Sequence, residues 1–129
     1  MLRKVSLISV GTLKDYFKKS EKYYKGSVDL INIKESDRIL ESKSILNIIN
    51  KNKDSLYVLF DVNGVRDLGE INKLKNINKN IYFIVGGSEG VCNEIKTKCN
   101  YTIRLSSFTY PHQIFRLIAL KFINEMFYK

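Results

Sequence analysis

Ile81-Tyr82-Phe83-Ile84-Val85-Gly86-Gly87-Ser88-Glu89-Gly90 passes from an unbroken apolar run into a glycine-rich turn. Five successive apolar residues, β-branched and aromatic, suit a central strand covered on both faces, as parallel sheets require. The glycines stop the strand where the chain must turn, and a helix is expected after Glu89.

The pattern extends in both directions. Upstream, residues 55–60 form an apolar strand running into Asp61, and Asn63-Gly64 reads as a turn before a short helix over residues 68–75. Residues 4–10 read as a buried strand closed by Gly11, with Thr12 as the cap of a helix through Leu13, Tyr16, Phe17 and Tyr23 that ends at Gly26. Residues 28–33 alternate as a second strand, followed by a helix with Ile39, Leu40, Ile45, Leu46, Ile48 and Ile49 inward. Downstream, residues 101–105 form a fifth strand. A last helix starts at Pro111, where a missing N–H costs nothing, and runs through Phe115 and Leu120 to Ile123. Alternating strands and helices predict an α/β sandwich with a mainly parallel sheet. The 129 residues suit one domain spanning residues 1–129.

Composition narrows the function. Lys plus Arg number 22 against 13 acids, a net charge of +9, which points to a polyanionic partner, nucleic acid first. A lysine-rich solvated face explains the same number. Cys92 and Cys99 are seven apart in an expected helix, on one face, too far for a disulfide. They lack further ligands for zinc, so the expectation is buried thiols and no metal. No stretch reads as a signal peptide or membrane span, and the cytoplasm is the expected compartment.

Two segments carry candidate chemistry. The glycine turn sits where ligands bind in open α/β sheets, at the carboxyl end of a strand. It follows the fourth strand and reads G-G-x-x-G, which disfavours a dinucleotide site. Leu105-Ser106-Ser107-Phe108-Thr109-Tyr110-Pro111-His112 holds the chain's one proline and one histidine. Before Pro111 it reads as an extended loop whose free backbone groups suit an adenine edge. Taken singly, each segment is also explained as an ordinary turn or loop.

Together, and with Leu59-Phe60-Asp61, these segments resemble the RlmH family of SPOUT-class methyltransferases, which act on a pseudouridine of large-subunit ribosomal RNA. The opening Val5-Ser6-Leu7-Ile8-Ser9-Val10-Gly11-Thr12 and the stretch Thr109-Tyr110-Pro111-His112-Gln113-Ile114-Phe115-Arg116 are similar to family motifs in the same order. The resemblance implies a SPOUT-like sandwich with a C-terminal trefoil knot, which general topology rules would not suggest. It implies an S-adenosylmethionine pocket lined by Phe60, Gly87, Ser106, Ser107, Phe108, Thr109, Tyr110 and Pro111. It implies a homodimer, ribosomal RNA or the assembled ribosome as partner, and methyl transfer to a ring nitrogen without a metal. No general base is assigned. His112 is expected to anchor the helix start, with RNA contact as a weaker role. Arg116 is expected to meet RNA phosphate or pair with an acid, and Asp61 and Glu89 are expected at the pocket rim. The family's His-, Tyr- and Arg-rich tail has no counterpart after Tyr128, so a second expectation is a non-catalytic RNA- or ribosome-binding homologue.

Overall fold

The computed structural model describes residues 3–65, 72–87, 89–104 and 111–128. Five strands form one sheet: β1 (Val5–Val10), β2 (Asp29–Ile33), β3 (Leu56–Val65), β4 (Ile81–Val85) and β5 (Tyr101–Ile103). Helices α1 (Asp15–Lys25), α2 (Arg38–Lys51), α3 (Asn93–Lys98) and α4 (His112–Phe127), with a 3₁₀ turn at Leu74–Asn76, connect or cover them. The order across the sheet is β2-β1-β4-β3-β5, and all four pairings are parallel. The α/β class and the parallel sheet are those expected from the apolar runs.

β1 and β4 are buried at every position, because each face of the sheet meets a separate core. On one side Leu7, Phe83 and Phe60 pack with Ala119, Leu120 and Ile123 of α4. On the other side Ile8, Ile84 and Leu59 pack with Ile45 and Ile49 of α2 and Ile95 of α3. α1 buries no residue fully and lies over α4.

Several local expectations are corrected. The N-cap of α1 is Lys14, without a side-chain cap bond, rather than Thr12. Ile39 and Leu40 are 68% and 53% exposed, and the inward positions of α2 are Glu41, Ser42, Ile45 and Ile49. Asn63-Gly64 is not a turn: β3 continues to Val65, with a register shift that pairs both Phe60 and Val65 with Ile103. A Cβ on Gly64 would lie 2.7 Å from the Ile103 carbonyl carbon, so the glycine serves a close strand approach. Cys92 and Cys99 flank α3 as its two end residues instead of sharing a face within it, and both are half-buried and free. The helix after the glycine turn begins at Asn93, and β5 stops at Ile103. The first part of the short helix expected over residues 68–75 lies outside the described residues.

Candidate active site

Parallel register brings the carboxyl ends of four strands together. Ser9 lies opposite Val85, Leu59 opposite Ile84, and Phe60 opposite Ile103. From β1 the chain moves outward to β2, and from β4 it moves the other way to β5, so the crevice between β1 and β4 is a topological switch point. Gly11 and the glycine turn border that crevice.

The glycine turn is closed by an isolated bridge between Gly87 and Gly90, with Gly90 N–H donating to the Gly87 carbonyl at 2.9 Å. Behind it stands the first part of α2. A Cβ on Gly87 would fall 2.5 Å from Oε1 of Glu41, which is 4% exposed. A side chain at 87 is therefore aimed at Glu41 and not into the crevice, so a substitution there acts by displacing the turn.

α4 enters from the other side. His112 Nε2 lies 2.7 Å from the Val10 carbonyl, which can only accept, so this nitrogen carries the proton. Gln113 Oε1 accepts from Lys14 N–H at 2.7 Å. Arg116 is 4% exposed, donates from Nη1 to the Gly11 carbonyl at 2.9 Å, and places Nε 2.6 Å from Glu21 Oε2. The last contact is an ion pair off the N–H axis rather than an aligned hydrogen bond. Of the two roles expected for Arg116, the structure gives it the acid partner, and its guanidinium faces the protein interior. His112 has the anchoring bond expected of it.

The remaining expected residues divide. The Phe60 side chain stacks on Phe83 at 5.5 Å and meets Phe115 and Phe122 edge-on, so it belongs to the core and can offer a ligand only backbone. Pro111 is the N-cap of α4 and is exposed. Asp61 pairs with Lys96 at 3.4 Å, and Glu89 is exposed. Ser106, Ser107, Phe108, Thr109 and Tyr110 lie outside the described residues. Ser9 was not anticipated: its hydroxyl is buried without a hydrogen-bond partner among the described residues, beside Val85 on the α4 side of the sheet. Among the described residues no group of three or more His, Cys, Asp or Glu could hold a metal ion, and no helix is long and apolar enough to cross a membrane.

An all-parallel sheet with a glycine turn at its switch point and a C-terminal helix tied back to β1 defines a class. Residues 4–124 match the family described as predicted SPOUT methyltransferase, and the chain belongs to that family. Its relatives carry a narrower name. It is 32% identical to the ribosomal RNA large subunit methyltransferase H of Caldicellulosiruptor saccharolyticus, over 95% of this chain and 93% of that protein. The protein of the same name from Caldicellulosiruptor bescii is 33% identical, over 88% and 87%. The fold is shared with a ribosomal RNA small subunit methyltransferase E from Neisseria gonorrhoeae, crystallised with S-adenosyl methionine. The TM-score is 0.64 at 10% identity, over 97% of this chain and 67% of that one.

Proposed function

We propose that this chain transfers the methyl group of S-adenosylmethionine to N3 of a pseudouridine in 23S ribosomal RNA. The observation that carries the reading is the switch-point crevice of a SPOUT-family chain, bordered by the glycine turn, the Gly11 end of β1 and the start of α4. The unpaired Ser9 hydroxyl suits a crevice that receives a polar ligand. The pocket walls are the Gly87 turn, the backbone at Phe60 and the segment from Ser106 to Pro111.

Bound there, the cofactor supplies an electrophilic methyl carbon. The Gly87 turn, the backbone at Phe60 and the segment before α4 would hold it so that its methyl group could pass to N3 of the base, with the N3 proton lost to solvent and the demethylated cofactor released. The protein's contribution is orientation of the two reactants. His112 holds α4 to β1 through Val10, and the proton at its Nε2 is engaged in that bond. The net charge of +9 favours the RNA partner.

The same reading includes one domain, a cytoplasmic site of action where ribosomes are, and a homodimer. Tyr16, Tyr23 and Ile114 are exposed on α1 and α4 and supply apolar surface for such pairing. It also includes the C-terminal trefoil knot that the family resemblance implies.

The test is a methylation assay on 23S RNA and on assembled ribosomes from cells lacking the modification, with cofactor binding by calorimetry. The expected result is saturable binding and methyl incorporation at one pseudouridine. Absence of affinity for S-adenosylmethionine and for its demethylated product would sink the proposal. Substituting Gly87 with valine should abolish both signals.

A further inference from the structure

Two consecutive buried polar side chains of α2 grip the glycine turn at both ends. Glu41 and Ser42 are 4% and 2% exposed, in a helix whose other inward residues are isoleucines. Glu41 Oε2 accepts from Ser36 N–H at 2.9 Å, which fixes the carboxylate against the loop leading into α2. Its Oε1 then faces Gly87 so closely that only a hydrogen fits between them. Five residues on, Cys92 N–H donates to Ser42 Oγ at 2.9 Å. The turn is thus held at Gly87 and at Cys92 by neighbouring residues of one helix, and its own Gly87–Gly90 bridge closes the span between.

Burying a carboxylate and a hydroxyl costs free energy unless they are satisfied, and isoleucine would fill the same space without that cost. What an aliphatic residue cannot do is accept the Ser36 and Cys92 N–H groups and fix the turn's register. We propose that Glu41 and Ser42 are positioning residues that set the glycine turn for the cofactor. Glycine at 87 is then required by Glu41 behind the turn and not by the ligand in front of it. This inference rests on the reading of the turn as a cofactor wall.

The test compares wild type, Glu41→Ala, Glu41→Gln, Gly87→Ala and the double variant Gly87→Ala/Glu41→Ala. Calorimetry with S-adenosylmethionine and its demethylated product is run beside methylation kinetics. Glu41→Ala should weaken both ligands by about tenfold or more, because a displaced turn affects the part they share. kcat at saturating cofactor should stay near wild type, and Glu41→Gln, which keeps the shape and an acceptor oxygen, should recover most of the affinity. Gly87→Ala should lose binding, and removing the Glu41 side chain should restore part of it. Wild-type binding with unchanged affinity in Glu41→Ala, or no rescue of Gly87→Ala, overturns the positioning role alone. No binding by wild type overturns the cofactor reading and the positioning role with it. Where Glu41→Ala does not fold, Ser42→Ala makes the same comparison at the Cys92 end, and unchanged affinity there again counts against the proposal.

Discussion

Arg116 on α4 and Glu21 on α1 form an ion pair, with Nε 2.6 Å from Oε2 and side-chain exposures of 5% and 15%. The same guanidinium holds the Gly11 carbonyl, so one side chain joins α4, α1 and the end of β1. A buried pair stabilises little over an apolar pair of the same shape, but breaking it strands a charge. Glu21→Met should therefore destabilise the fold by about 3 kcal/mol. A double change of Glu21 and Arg116 to methionine should cost clearly less than the two single changes summed. Urea unfolding of the four proteins measures this. A single-variant cost no larger than that of an exposed pair would show the guanidinium to be solvated.

His112 reaches the Val10 carbonyl across 102 residues of sequence. His112→Ala should lose about 1 kcal/mol of stability, the net worth of a typical hydrogen bond. If His112 only anchors α4, kcat should fall by less than about a hundredfold, the lower end of what loss of a general base costs. A larger fall, with the acidic limb of the pH–rate profile lost, would make the imidazole part of the chemistry.

The strands were legible because they are covered on both faces: a run such as 81–85 admits few alternatives. The turn at Asn63-Gly64 was misread because its dipeptide chemistry matches a hairpin, while the glycine in fact serves the approach of β3 to Ile103. Glu41 was missed for a related reason. Ile39 and Leu40 drew the inner stripe by hydrophobicity, yet Ile45 and Ile49 fix the inward face, and one turn before Ile45 lie Glu41 and Ser42. Periodicity carried the right answer, and composition overrode it. The partners of Arg116 depend on α4 lying beside α1, a long-range fact that no local pattern encodes.

Asn124 closes the end of α1 from α4. Its Nδ2 donates to the carbonyls of Tyr24, Lys25 and Leu120, at 2.9 Å for Lys25. The last carbonyls of a helix lack intrahelical partners, so this amide adds to the backbone bond at that end, from Val28 N–H to the Lys25 carbonyl at 3.0 Å. Asn124→Ala should cost about 1–2 kcal/mol, and Asn124→Leu more, because it sets an apolar group against the Tyr24 carbonyl. Hydrogen exchange should show the loss first as fraying of the last turn of α1. Exchange accelerated uniformly across the sheet would contradict this local role.

Alkaline pH should weaken the protein through the α2–β3–β4 side. Burial, with the neighbouring Tyr82 and Cys99 adding to it, pushes the Tyr57 hydroxyl from 10.0 to about 12, against a smaller opposing effect of Ser55. Burial alone raises the Cys99 thiol from 9.0 to about 12. Tyr57 needs its proton, which it donates to the Asn52 carbonyl at 2.6 Å where α2 ends. Both groups hold their protons in the folded state at a pH where the unfolded chain has released them. Their contribution is therefore complete below pH 9.0, the ordinary value of the thiol, and is lost as pH climbs toward about 12. Urea midpoints taken at about pH 8 and about pH 10.5 should fall in wild type, while Cys99→Ala and Tyr57→Phe should each flatten the fall and the double variant should flatten it most. Loss of the Asn52 bond lowers the Tyr57→Phe midpoint at every pH, so the slope, not the height, is the readout. An equally steep decline in the double variant would assign the alkaline sensitivity to other groups.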